Sequence, residues 1–233
     1  MEREIYTATS PTAHNEAVLA KYEVRKNQGL YKEALGELAR LYTYALTPEQ
    51  MEQYYTQKAL CSYLAGDFNL SLSTTSEASF YVPRGEMLML LEALAAGEMG
   101  DWQRSQKAAT DYLATQPNST ERQLQIEELY RHTPRLRDPM VAYWLSLLPG
   151  VGQFYAGEIW SGVVSLMVNG ALGGFAVGEF VAGQWLSGWI VGCGALSTPY
   201  MVGQERARIL TERRNARLLR TYNDHLRTLL LAE

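Results

Sequence analysis

The 233-residue sequence predicts an all-α protein: a short helical solenoid, then a transmembrane helical hairpin, then an amphipathic C-terminal helix. Three observations carry that expectation. Across 140–202 there is no Lys or Arg, and the only charges are Glu158 and Glu179. In front of that block, Gly-x-aromatic triplets recur at a period near 34 residues, each set between two stretches of helical periodicity. Behind it, leucines return at helical steps among arginines.

Taken in order, residues 1–14 are polar, hold Ser10-Pro11, and are expected to form a flexible lead-in. They lack the apolar core of a secretory signal, which places the helical region behind them in the cytoplasm unless a signal peptide has been removed. Helical periodicity begins at residue 15. Gly29-Leu30-Tyr31, Gly66-Asp67-Phe68 and Gly100-Asp101-Trp102 are the repeated turns. Pro48, Pro83 and Pro117 follow a matching period. Ala34, Ser71 and Ser105 each stand five residues after their glycine, and Tyr22, Ala59 and Ala93 seven before. Glycine relieves a tight turn, small residues let paired helices approach, and proline ends a helix.

This pattern resembles the tetratricopeptide repeat over about 15–118, in three units, with the looser fit in the first. The resemblance implies stacked helix pairs with a shared core and a concave face that receives a protein partner. Tyr42, Tyr44, Tyr54, Tyr55, Tyr63, Phe80 and Tyr81 are expected to serve mainly as packing between helices, with a minority lining the groove. A helix at 121–131 is expected to cap the array, giving a repeat domain of 15–131. Residues 132–139 read as a basic linker, and Arg131, Arg135 and Arg137 place it at a membrane surface.

The block 140–203, with two acidic residues and no basic one, reads as a membrane module. Its first stretch, 140–148, is too short to span; 159–177 and 185–202 each approach the roughly 20 residues a span needs. The tip between them, 178–184, carries Glu179. Before the first span stands Pro149-Gly150-Val151-Gly152-Gln153-Phe154-Tyr155-Ala156-Gly157. Its glycines lack the Lys-Ser/Thr of a phosphate loop and the spacing of a dinucleotide site. Pro149, Gly150, Gly152, Gln153, Tyr155 and Gly157 instead resemble the signature of small bacterial two-helix membrane modules related to the TM2-type domain, a group without an assigned activity. Gly170, Gly174 and Gly178 follow one another every four residues, as do Gly188 and Gly192. Such stripes are expected to pack the hairpin, with homo-oligomerisation as the alternative.

Charge is unevenly spread along a chain of net charge −4: 14 basic against 19 acidic residues up to Asp138, and 7 arginines against 4 acidic residues from Gln204. An acidic front is poor material for nucleic-acid phosphates. The basic helix at 204–233 suits anionic lipid headgroups or an acidic protein surface. Arginines flank the block on both sides while its tip is acidic, which predicts both ends in the cytoplasm. Cys61 and Cys193 read as small buried apolar residues, and His14, His132 and His225 are scattered. No catalytic, metal or cofactor grouping is spaced to work. The expectation is a non-enzymatic, multi-pass inner-membrane scaffold that binds a protein partner and the bilayer. The alternative is a small oligomeric transport or lipid-handling protein with a regulatory repeat domain.

Overall fold

The computed structural model describes every residue except Asn118, Ala232 and Glu233. Asn118 ends the predicted repeat stretch and the other two end the predicted C-terminal helix, so those termini lie outside the described residues. All regular secondary structure among the described residues is helical, without a strand. They form two compact units, one of Met1–Thr133 with Tyr222–Glu233, the other Pro134–Thr221.

The first unit holds α1 (Glu2–Thr7), α2 (Pro11–Asn27), α3 (Tyr31–Leu38), a 3-10 turn at Thr43–Ala45, α4 (Pro48–Leu64), α5 (Phe68–Ala78), α6 (Glu86–Met99), α7 (Trp102–Thr115) and α8 (Thr120–Arg131). The chain reverses between α2 and α3, α4 and α5, and α6 and α7. At those turns Gly29, Gly66 and Gly100 take φ of +74°, +77° and +74°, the left-handed conformation a side chain resists. The aspartate after each of the last two glycines caps the next helix: Asp67 accepts from Leu70 N at 3.0 Å and Asp101 from Arg104 N at 3.2 Å. Within those two helix pairs the small residues meet. Ser71 Oγ donates to Ala59 O at 3.0 Å, and Ser105 Oγ donates to Ala93 O at 2.7 Å. Pro48 starts α4 in a Thr47/Gln50 capping box rather than ending the helix before it.

Residues 1–14 are not a flexible lead-in. Ser10 Oγ accepts from Ala13 N at 3.1 Å and Pro11 opens α2, so Ser-Pro starts a helix here. In α1, Ile5 joins the buried cluster of Val18, Tyr22, Ala34, Leu38, Leu41 and Cys61. Glu2 binds Arg40 through both carboxylate oxygens, at 3.1 and 3.2 Å, and also Lys21.

The second unit comprises α9 (Pro139–Leu145), α10 (Val151–Ala156), α11 (Ile159–Val181), α12 (Trp185–Trp189), a π-helical turn at Ile190–Ala195, and α13 from Ser197. Among the described residues α11 is the one helix long and apolar enough to cross a membrane, with 23 residues, mean hydropathy 1.5 and 11% of its apolar window buried. Its length is about 34 Å. The second predicted span, 185–202, is not one helix. Gly188, Gly192 and Gly194 crowd its middle, where the π turn stands, and α13 begins at Ser197 and runs unbroken to Leu231 instead of starting at 204. Its last residues, from Tyr222, pack in the first unit.

Candidate functional site

Two places gather the residues singled out by the sequence, one in each unit. In the second unit, the segment 149–157 forms the turn between α9 and α10, and α10 itself. Gly150 has φ +88°, and a Cβ there would lie 2.5 Å from the Gly162 carbonyl oxygen on α11. A Cβ on Gly152 would overlap both Ser146 Oγ and the Ala142 carbonyl, so α9 and α10 touch backbone to backbone. Gly162 receives the Phe154 ring, 2.5 Å from where its Cβ would stand. Gln153 is 1% exposed, and its Nε2 donates to Gly203 O on α13 at 2.8 Å. Tyr155 faces the other way. Its hydroxyl accepts from Asp138 N at 3.2 Å, its carbonyl accepts from Arg137, and the Arg137 guanidinium lies 5.4 Å over its ring. Arg137 also exchanges backbone bonds with the Asn215 side chain, N to Oδ1 at 3.0 Å and O from Nδ2 at 2.6 Å. The sequence marks Arg137 as a surface cation, whereas its side chain closes the turn. Nothing in its spacing distinguishes it from Arg135.

Beside Gln153, Ser165 Oγ lies 3.4 Å from the Cβ position of Gly203. One turn further along α11, Asn169 is 6% exposed and donates to Ser165 O at 2.7 Å. Both amide nitrogens are thus fixed by carbonyls, while Gln153 Oε1 and Asn169 Oδ1 are buried without a partner. Glu158 pairs with Arg217 at 3.5 Å, and Glu179 accepts from Ser187 Oγ.

The glycine stripes separate. A Cβ on Gly188 would lie 3.1 Å from the Phe180 ring and 3.2 Å from Ala176 O, and one on Gly192 3.6 Å from Ala176 Cβ. After Gly183 the chain therefore returns along α11. A Cβ added at Gly170, Gly174 or Gly178 would meet nothing within 4 Å outside its own helix turn. The packing expected of them inside the pair is not made, because the returning chain lies along the Ala176 side of the helix. Cys193 is exposed rather than buried, while Cys61 is buried with the Tyr22 hydroxyl 3.6 Å from its sulfur.

In the first unit, the predicted aromatics divide. Tyr55 is buried, and Tyr54 and Tyr63 are half-buried. Tyr42, Tyr44, Phe80 and Tyr81 are exposed, so packing accounts for fewer of them than the sequence predicts. Of the turn motifs, Tyr31 and Trp102 rest half-buried against the clusters that hold their own helix pairs, and Phe68 against Leu72, Ala95 and Ala96, between α5 and α6. A recess of about 400 Å³ between α2 and α4 is lined by Leu19, Tyr22, Glu23, Gln53, Tyr54 and Gln57. Burial raises the Tyr22 hydroxyl far above its usual pKa, so it stays a donor, to Gln57 Oε1 at 2.6 Å.

Elsewhere in this unit, residues 222–230 of α13 cover α6 beside the end of α4. Tyr222, Leu226 and Leu230 join one buried cluster with Leu90, Leu94, Leu113, Ile126 and Tyr130. Arg227 Nε donates to Tyr63 Oη at 2.9 Å, and its guanidinium pairs with Glu98. One sequence signal of this cover existed and was missed. Between Met87 and Gly97, α6 has a single polar residue, Glu92, and a helix apolar all round is covered all round.

Among the described residues no three His, Cys, Asp or Glu side chains gather as a metal site. No protein-family model, curated protein or solved structure matches the chain.

Proposed function

We propose that this chain is a non-enzymatic membrane-anchored scaffold. Its first unit is a tetratricopeptide-like array that holds a protein partner, and its second is a helical hairpin anchored in the bilayer. The observation that carries the reading is the apolar surface of α11. Trp160 and Val181, near its ends, are 81% and 84% exposed, and Val164, Leu166, Met167, Phe175 and Val177 are exposed between them. A continuous apolar face of that extent, on a helix long enough to span, is suited to lipid. The returning run from Trp185 to Val202, though interrupted by the π turn, carries no charge and would complete the hairpin. Arginines on both flanks then set both ends, and with them the repeats, in the cytoplasm of a bacterial inner membrane.

Membrane fractionation followed by an alkaline carbonate wash tests the anchor. The chain is expected to stay in the pellet, and a Val168→Arg/Phe175→Arg variant to appear in the supernatant, since each arginine at mid-span costs about 2.5–3.5 kcal/mol. Recovery of the unsubstituted chain in the supernatant would end the reading.

A second reading, the oligomeric transport or lipid-handling protein, draws on two observations. The α11 glycine stripe is open, and Gln153 Oε1 and Asn169 Oδ1 are buried without partners. Cross-linking in membranes separates the two: a monomer favours the scaffold.

A further inference from the structure

We propose, resting on the reading of the repeats as a protein-binding surface, that the face shared by α4, α6 and α8 is a receptor for an amphipathic helix. Residues 222–230 fill it as an exchangeable internal ligand. The partner that fits carries an aromatic residue, then Leu four positions on, Arg five on and Leu eight on, as Tyr222, Leu226, Arg227 and Leu230 do.

Four observations lead there. The segment lies on a repeated surface, not on a patch peculiar to one helix. Its contacts Tyr63 and Gly97 both stand three residues before a turn glycine, Gly66 and Gly100. The receiving surface is shaped for a helix. Gly97 gives it room, since a Cβ there would lie 2.9 Å from Asn223 Oδ1 and 3.2 Å from Leu226 Cδ2. Arg227 supplies the orienting charge through Glu98 and Tyr63.

The fit is also imperfect. Asn223 is 2% exposed and neither its Oδ1 nor its Nδ2 has a partner, so docking strips water from an amide and returns nothing. A partner with an apolar residue at that position avoids this. Finally, among the described residues the segment enters one of the four buried clusters of this unit and leaves three without it. The clusters around Val18 and Leu38, around Tyr55 and Leu91, and around Leu72 contain none of its residues. Losing it with no replacement would expose Leu90 and Leu94 to water, which favours exchange over vacancy.

The test uses the full chain in detergent micelles and a labelled peptide of residues 218–231, followed by fluorescence anisotropy. A Tyr222→Ala/Leu226→Asp chain, whose own segment is weakened, is expected to bind the peptide at least about ten-fold more tightly than the unsubstituted chain. A peptide carrying Leu226→Asp should not bind it, and adding Gly97→Leu to the opened chain should abolish binding. Equal affinity of the two chains overturns the proposal. So does loss of cooperative unfolding of the repeats in the opened chain, which would make the segment part of the fold. A dimer that the opened chain no longer forms would place a second copy's helix in the groove and overturn internal occupancy. Failure to recover any partner with the repeats would count against the scaffold reading alone, since these affinities do not depend on it.

Discussion

The two units are built with opposite polarity. The repeat unit buries Val18, Leu38, Leu94 and Leu113 and pairs its surface charges, as at Arg84 with Glu92 and Asp111, 2.7 and 2.6 Å away. In the second unit the interior holds Ser146, Gln153, Asn169, Gln204 and Thr211, while Trp, Val, Leu and Phe look outward. On the proposed reading of the second unit as a membrane anchor, the difference is one of solvent. Where water surrounds a unit, burying apolar area drives its packing. Where lipid does, that force vanishes between helices, and close backbone contact with internal hydrogen bonds takes over. Glycine serves two needs: at Gly66, Gly100 and Gly150 a left-handed backbone, and at Gly97 and Gly152 room for a close neighbour.

The largest expected effect sharpens that contrast inside the second unit itself. Gly152→Leu pushes a side chain into the Ala142 carbonyl and should cost about 3 kcal/mol or more, with the turn rearranged. Gly174→Leu enters open space and should leave thermal unfolding in detergent within about 0.5 kcal/mol. If both melt alike, the backbone contact at Gly152 is not what holds α9 to α10. The open stripe gives Gly174→Leu a second readout: lost cross-linking at unchanged melting temperature marks self-association.

Next in size is the repeat core. Leu113 is fully buried, and Leu113→Ala should cost about 2–5 kcal/mol through the lost transfer energy and the cavity left behind. Smaller again is Ser71→Ala, which removes the hydroxyl donor to Ala59 O. About 1 kcal/mol is expected, since the carbonyl keeps its helical partner. Denaturant titration resolves both, and a larger loss for Ser71→Ala than for Leu113→Ala would reverse the assignment of polarity in this unit.

Turns were legible in the sequence because Gly, Asp and Pro act locally: Gly66-Asp67 and Gly100-Asp101 determine their own backbone and cap their own helices. The all-helical class followed from periodicity in the same way. What escaped depends on partners distant in sequence. Ile5 looks like a lone apolar residue in a polar stretch until Val18 and Leu38 gather around it. Ser10-Pro11 reads equally as a break or as the start of a helix, and the residues behind it decide. A stripe such as Gly170, Gly174 and Gly178 tells which residues are small without telling which way they face. The cover over α6 was legible only as an excess of apolar residues, with no hint that it would come from Tyr222 and Leu226, over a hundred residues away.

The smallest effect concerns how α1 is held, and pH reads it. The Glu2 carboxylate is held down to about 2 by its hydrogen bonds to Arg40 and then Lys21. In the unfolded chain it titrates near 4.3. A depressed carboxylate contributes stability that is whole above the unfolded value and is lost as pH falls toward the folded one. The contribution is therefore complete at pH 6, declines below about pH 5 and has gone near pH 2. Glu2 is exposed, so salt should weaken the same interaction. The melting temperature of the unsubstituted chain should exceed that of Glu2→Gln at pH 6, and the two should converge as the acid limit is approached. No gap at pH 6 would mean that the ion pairs with Arg40 and Lys21 add nothing and that Ile5 alone anchors α1, whereas a gap that persists unchanged at low pH would mean that Glu2 acts through something other than its charge.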